Sequence, residues 1–149
     1  MHPGFPPHLP GQTPRPPDGA FDSLKAGLSP GMAVAELQHH AGLRGGVRLL
    51  AMGYCWEAHE VLEAVWLSTV PGSREQHFVR ALIQLANARL KWRMGQERAA
   101  ARIAALSLSH LREAGLGGQR EVLGFDLENT RTGILHYNAE NSDFLRDTL

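Results

Sequence analysis

The densest group of residues able to do chemistry is the run Trp56-Glu57-Ala58-His59-Glu60-Val61-Leu62-Glu63. On a helix, His59 and Glu63 are four residues apart and lie on the same face, so the carboxylate can contact the imidazole. Such a contact orients the ring and favours its charged form, which suits general acid/base chemistry, and His/Glu pairs also bind metals. The run therefore makes His59, Glu60 and Glu63 the candidate catalytic residues.

Two metal-binding motifs are incomplete in this run. A zincin H-E-x-x-H site needs a second histidine at position 63, where the chain has Glu63. A di-iron bundle needs Glu-x-x-His on two helices, whereas Trp56 stands three residues before His59. Neither motif is therefore predicted.

The ligands of a metal at this cluster would have to come from two helices. The side chains of His59, Glu60 and Glu63 spread over roughly 100° of one helix surface, so they cannot close a metal shell alone. The next helix offers two cations and two neutral amides on its polar stripe, namely Arg80, Gln84, Asn87 and Lys91. We therefore expect no transition metal and no cofactor, but a contact from Gln84 or Lys91 to Glu60 or Glu63.

The helix that carries the candidate residues is predicted to run from Tyr54 to about Ser68. Its apolar arc includes Ala58, Val61, Leu62 and Val65. The opposite side carries Trp56 and Trp66, and a solvated face rarely holds two tryptophans. We therefore expect this helix to have neighbours on both sides.

Two further strong helices follow. The capping box Ser73-Arg74-Glu75-Gln76 predicts a helix to about Met94. Arg89 lies in its apolar arc, and we expect a carboxylate of the preceding helix to pair with it because an unpaired buried guanidinium is costly. The alternative is that the side chain extends along the apolar surface and places its guanidinium in water. An alanine-rich helix is predicted from about Gln96 to Ala114, with a core-facing stripe of Ala99, Ile103, Leu106 and His110.

The remaining elements are weaker. Ser29-Pro30 has the serine cap and first-turn proline of a helix start. The glycines at 42, 45 and 46 are expected to interrupt that pattern before a second piece from about Arg44 to Met52, and Asp126 is expected to cap a last helix through Leu135. No period-two alternation indicates a strand. The sequence thus predicts an all-α, compact bundle of about five helices, with a core that includes Val61, Leu62, Val65, Leu82, Ile83, Leu85, Ile103 and Leu106.

The N-terminus has a different composition from the rest of the chain. Seven of the nine prolines fall within residues 1–17, which excludes a helix there and predicts an extended conformation. We divide the chain into an extended, Pro-rich N-terminal arm, residues 1–28, and a helical bundle domain, residues 29–149. Residues 1–17 of the arm are expected to pack on a second subunit, giving a homo-oligomer, or on a distant face of their own bundle.

Composition limits the classes of partner and compartment. Lys and Arg together number 15, as do Asp and Glu, so the net charge is zero and nucleic acid and anionic membranes are poor candidate partners. The single Cys55 cannot form an intramolecular disulfide, which fits a cytoplasmic protein. No secretory signal is recognisable, and no apolar run approaches the ~20 residues that span a bilayer. We expect a soluble protein.

A known family shows the same residues. Gly53, the run from Trp56 to Glu63, Trp66 and Leu82-Ile83-Gln84-Leu85-Ala86 resemble the domain-of-unknown-function family 309, over roughly residues 47–114. The resemblance implies a small helical bundle whose shared polar residues are Glu57, His59, Glu60, Glu63 and Gln84. The family has been labelled a predicted metal-dependent hydrolase. Two positions depart from its pattern, because Lys91 stands where many members have histidine and Gln96 replaces the usual asparagine after Gly95.

Three interpretations of the cluster remain open: a closed polar interior without a ligand, a metal or catalytic site, and a pocket for a small molecule or a partner. The candidate ligand-binding residues are Trp56, Glu57, Trp66, Gln84 and Lys91. The favoured function is a structural, interaction or small-ligand-binding module. The alternative is a metal-dependent hydrolase that uses His59, Glu60 and Glu63, and the sequence leaves open whether the chain is an enzyme.

Overall fold

The computed structural model describes residues 2–139. Within them the helices are α1 (Asp22–Lys25), α2 (Val34–Gln38), α3 (Ala41–Ala51), α4 (Cys55–Ser68), α5 (Arg74–Arg93), α6 (Glu97–Ala114) and α7 (Leu127–Leu135). A two-stranded antiparallel hairpin, β1 (Glu121–Val122) and β2 (Phe125–Asp126), joins α6 to α7. The chain is a compact helical bundle, which confirms the predicted all-α fold.

The middle of the bundle is α5, which packs against α4 on one side and α6 on the other. Six of the predicted core residues are buried: Val61, Leu62, Val65, Leu82, Ile83 and Leu85. The prediction was wrong for α6, where Ile103 is only half-buried and the side chain of Leu106 is 48% exposed. The buried stripe of α6 is made mostly of smaller residues, and Ser107 Oγ donates a hydrogen bond of 2.7 Å to the carbonyl of Ala81 on α5.

The glycines of α3 are packing positions and do not interrupt the helix as expected. All three lie inside α3 and are buried. A Cβ on Gly46 would stand 2.7 Å from Leu62 Cδ2, and one on Gly45 would stand 2.9 Å from Leu24 Cδ2. Because Gly45 and Gly46 have no side chain, α1 and α4 can approach α3 closely.

Cap residues set the boundaries of the later helices. At the start of α5, Ser73 Oγ accepts from the backbone N of Gln76 at 3.1 Å, and at the start of α7, Asp126 Oδ1 accepts from the backbone N of Asn129 at 2.9 Å. Both predicted caps are present. The predicted start at Ser29-Pro30 was wrong, because α2 begins at Val34. Gly31 has a φ of +70°, and this left-handed backbone stops a helix from continuing past Pro30.

The N-terminal arm contains the single-turn helix α1, so it is not extended throughout. Its first part lies against the start of α4 in the same chain, where the hydroxyl of Tyr54 donates to the carbonyl of Phe5. His8 is buried in this contact, and the ring of Phe5 packs edge-on against those of Phe21 and Tyr54. Packing on its own bundle, one of the two expected arrangements, is therefore present.

None of the helices within residues 2–139 is both long and apolar enough to cross a bilayer.

Candidate functional site

The histidine of the cluster is held between two carboxylates of its own helix. On α4, His59 Nε2 is 3.1 Å from Glu63 Oε2, and His59 Nδ1 is 3.6 Å from Glu60 Oε1. All three side chains are partly exposed to solvent. The contact expected between His59 and Glu63 is present, and His59 is oriented by it.

These donors do not fit a metal site in the described residues. Each ring nitrogen of His59 lies beside a carboxylate of the same helix, at 3.6 Å for Nδ1 and 3.1 Å for Nε2. Within residues 2–139 no group of three or more His, Cys, Asp or Glu side chains is placed to hold a metal ion. The neighbouring stripe on α5 contributes Gln84, whose Oε1 accepts from Asn87 Nδ2 at 3.3 Å. The expected contact from Gln84 or Lys91 to Glu60 or Glu63 is absent from the hydrogen bonds and ion pairs of this region.

The cluster forms one edge of a larger surface that spans α4, α5 and α6, which we call the three-helix face. The guanidinium of Arg80 on α5 lies over the ring of Trp66 on α4 at 5.3 Å. The ring of His77 on α5 stacks on that of His110 on α6, with centroids 5.8 Å apart. The face is formed by His59, Glu60, Glu63, Trp66, His77, Arg80, Gln84, Asn87, Lys91, Ala99, Ile103, Leu106 and His110.

The surroundings of His110, where α5 meets α6, favour its neutral form. Partial burial lowers the pKa of His110, and the neighbouring His77 and Arg80 lower it further, while Glu113 acts in the opposite direction. Protonation of His110 is therefore opposed by its surroundings.

Glu57 belongs to a different environment, beneath the N-terminal arm. Its side chain is fully buried, Oε2 accepts from the backbone N of His8 at 2.9 Å, and Oε1 has no hydrogen-bond partner among the described residues. Burial raises the pKa of the Glu57 carboxyl, against the opposing effect of the His8 backbone hydrogen bond. The carboxyl is thus isolated from the solvent that reaches Glu60 and Glu63.

The arm also covers Trp56. The ring of His8 meets that of Trp56 edge-on at 4.9 Å, and the guanidinium of Arg15 lies over the indole at 5.5 Å. The predicted ligand-binding residues are thus divided, with Trp56 and Glu57 under the arm and Trp66, Gln84 and Lys91 on the three-helix face.

Arg89 is buried, as its position in the apolar arc predicted, but it lacks the expected partner. Its side chain is 2% exposed, and Nη2 donates to the carbonyl of Ala139 at 3.2 Å. Within residues 2–139 no carboxylate of α4 reaches it, and Nη1 has no hydrogen-bond partner. Burial lowers the pKa of the Arg89 guanidinium, while Cys55 acts in the opposite direction and Arg93 lowers it further.

Two cavities were not predicted from the sequence. One, of about 390 Å³, is lined by Arg89, Trp92, Arg93, Tyr137, Asn138 and Ala139. The other, of about 600 Å³, lies between the end of α6 and α7, with Arg112, Arg120 and Arg131 among its lining residues. The one sequence signal for the first cavity was Arg89, a basic residue inside an apolar arc. The lining residues that come from α7 and from the segment after it carried no sequence signal.

The sequence was compared with curated proteins, solved structures and protein-family models. No curated protein and no solved structure matches the chain. A family model does match, and it describes a domain of unknown function, DUF309. The match covers residues 43–103, so it includes all of α4 and α5 together with the candidate cluster. This match confirms the resemblance to the domain-of-unknown-function family 309.

Proposed function

We propose that the chain is a non-catalytic interaction module that self-associates through the three-helix face. The observation that carries the proposal is the pattern of charge on this face. Glu60 and Glu63 supply negative charge on α4, and Arg80 and Lys91 supply positive charge on the adjacent α5. Beyond them, the side chain of Leu106 on α6 is 48% exposed.

A surface with both signs of charge can bind a second copy of itself. In a two-fold dimer a residue away from the symmetry axis meets a different residue of the other copy, so the acidic row of one face can oppose the basic row of its partner. These charges fix orientation and partner choice, while burial of apolar area supplies most of the free energy. Leu106 and the half-buried Ile103 and Trp66 provide that apolar area.

The test measures the mass of the full chain by light scattering during size exclusion. Leu106→Glu is expected to shift the dimer to a monomer, because the carboxylate cannot be buried at the interface and the exposed position leaves the fold intact. The matched control is Leu116→Glu, at a site that is 70% exposed but lies outside the three-helix face. A monomeric parent chain, or equal loss of dimer in both variants, contradicts the proposal.

Charge-reversal variants provide a second test, in which association is first weakened and then restored. Glu63→Lys and Lys91→Glu are each expected to weaken self-association roughly tenfold, as paired charges at interfaces commonly do. A mixture of the two variants should recover the dimer mass, because the reversed charges then oppose each other again. Failure of the mixture to associate more strongly than either variant alone argues against the pairing.

Hydrolysis with a metal at His59, Glu60 and Glu63 is the second candidate function. Its support is the oriented, partly exposed His59–Glu63 pair at 3.1 Å. The donor set weighs against it, because no group of three or more donor side chains within residues 2–139 is placed to hold a metal ion and the polar stripe of α5 contributes cations and amides. Stoichiometric zinc, manganese or iron that survives dialysis and is lost in His59→Ala would favour the hydrolase over the interaction module.

A further inference from the structure

A second site, independent of the three-helix face, is the cavity of about 390 Å³ beside the C-terminal end of α5. Its wall contains two guanidinium groups one helical turn apart, those of Arg89 and Arg93. Trp92 and Tyr137 also line it, and their rings meet edge-on at 6.2 Å. The cavity therefore combines positive charge with aromatic surface.

The positive charge here is not neutralised by the described residues. Arg93 donates from Nη1 to the carbonyl of Gly53, and Arg89 donates from Nη2 to the carbonyl of Ala139. Both acceptors are neutral, and within residues 2–139 neither guanidinium has a carboxylate within 4.0 Å. A buried guanidinium with an unused N–H donor is unfavourable unless an acceptor, and best an anion, comes to it.

We propose that this cavity binds a small organic anion through its phosphate or carboxylate group. The unused Nη1 of Arg89 donates to an oxygen of the anion, and Arg93 contributes the second positive charge. Arginine suits this role because its planar set of N–H donors matches two oxygens of a phosphate or carboxylate. The aromatic rings of Trp92 and Tyr137 contact the organic part of the ligand.

The size of the cavity agrees with an organic ligand. A volume of 390 Å³ falls in the range of about 300 to 1,000 Å³ that small-molecule pockets occupy. A single water molecule fills roughly 30 Å³, so one bridging water would leave most of this space unfilled. The volume leaves room beside the guanidiniums for the organic part of such a ligand.

The experiment uses the full chain at constant ionic strength, with phenyl phosphate and benzoate as the two probes. Binding is followed by the rise in melting temperature and by the shift of the Trp92 indole N–H resonance, assigned with Trp92→Phe. At least one probe is expected to raise the melting temperature in a saturable way and to shift this resonance. Which of the two binds more tightly tells whether phosphate or carboxylate is preferred.

The variants locate the site. Arg93→Gln changes an exposed side chain and is expected to weaken the apparent Kd at least about tenfold, since it removes one of the two charges. Arg89→Met replaces the buried guanidinium with a shorter, unbranched apolar side chain and is expected to abolish the shift of Trp92. Arg131→Gln, in the other cavity, is the matched control and should leave the Kd unchanged, with circular dichroism confirming the fold of each variant.

Three results would overturn the proposal. The first is no saturable effect of either probe on the full chain. The second is loss of binding in Arg131→Gln with retention in Arg93→Gln, which would move the anion to the cavity between α6 and α7. The third is binding only after Glu140→Gln, Asp143→Asn and Asp147→Asn are combined, because the anion would then be a carboxylate of the chain itself.

Discussion

Two buried ionisable side chains, Glu57 and Arg89, lie in separate environments with an incomplete set of hydrogen bonds. Glu57 accepts one backbone N–H from His8, and Arg89 donates to one backbone carbonyl. Each has a further buried polar atom without a partner in the described region. A buried atom of this kind costs about 1 to 3 kcal/mol. Such a cost makes these positions the first places to look for binding or for a pH-dependent stability.

The ionisation of Glu57 changes the free energy of unfolding in a definite direction as the pH rises. Burial raises its folded-state pKa above the ordinary value of 4.5, so the folded chain binds more protons than the unfolded chain between those two pKa values. The stability contributed by the protonated carboxyl is fully present below pH 4.5 and is lost as the pH rises through the folded-state pKa. Ionisation of Glu57 therefore destabilises the fold.

Glu57→Gln should remove the loss of stability that accompanies ionisation of the carboxyl. Urea unfolding is expected to show a gain of about 1 kcal/mol for the variant at neutral pH, the order of an unsatisfied buried group, and a smaller gain at pH near 4. Glu121→Gln, at an exposed position of β1, should change neither value. A gain that is the same at both pH values would show that the carboxyl does not titrate as described.

Some of the residue-scale arrangement was predictable and some was not. The spacing of four residues was enough to predict the contact between His59 and Glu63, because helix geometry fixes it. The burial of Arg89 was also predictable, because the residue lies in the apolar arc of α5. Its hydrogen-bond partner could not be predicted, because Ala139 lies fifty residues later in the chain and no local sequence pattern indicates such a contact.

At the scale of the helices, the small residues determine how closely elements approach. Between α5 and α6 the buried stripe includes Ala100, Ala104 and Ser107, and in α3 it includes Gly45 and Gly46. Periodicity predicted the helices themselves. It could not decide between two neighbouring stripes of α6, because alanine has a weak hydrophobic signal while its short side chain favours close packing. The larger Ile103 and Leu106 were therefore placed wrongly in the core.

Gly46 tests this account of α3. Alanine has the higher intrinsic helix propensity, by about 1 kcal/mol, so an unconstrained helix would be stabilised by Gly46→Ala. Here the new methyl group meets Leu62 Cδ2 at 2.7 Å, and overpacking of this kind costs about 1 to 3 kcal/mol. We expect thermal and urea unfolding to show a net destabilisation.

A double-mutant cycle separates the contact from other effects. Leu62→Ala alone should cost about 2 to 5 kcal/mol, because it leaves a cavity. In that background Gly46→Ala should become neutral or stabilising, since the clashing atoms are gone. An equal destabilisation in both backgrounds would mean that the glycine is needed for its backbone and not for close packing.

At the scale of the whole molecule, the N-terminal arm covers the end of α4 opposite to Trp66. The proline content predicted a non-helical segment, and the choice between its own bundle and a second subunit was left open. The buried His8, the half-buried Phe5 and the hydrogen bond to Glu57 are contacts within one chain. We propose that residues 29–149 form the folding unit and that the arm adds stability to it by covering Trp56 and Glu57.

Deletion of residues 2–20 tests this role and separates it from self-association. The loss of the Phe5 and His8 contacts is expected to lower stability by about 1 to 3 kcal/mol, because full burial of a large apolar side chain contributes about 1.5 to 3 kcal/mol and Phe5 is half-buried. For a chain of this size that corresponds to a fall in melting temperature of about 2 to 12 °C. The mass in light scattering should equal that of the full chain minus the deleted residues in each protomer, because the three-helix face is retained. A dimer that becomes a monomer on deletion would instead assign self-association to the arm.

The same deletion should also change the behaviour of Glu57. Without His8 above it, the carboxyl is reached by water, and the desolvation that raises its pKa is relieved. The stabilising effect of Glu57→Gln at neutral pH is therefore expected to disappear in the deleted chain. Urea unfolding of the four proteins, with and without the arm and with Glu or Gln at position 57, measures this coupling directly. If Gln at position 57 stabilises both forms equally, burial by the arm is not the cause of the raised pKa, and the packing of α4 against α3 and α5 is.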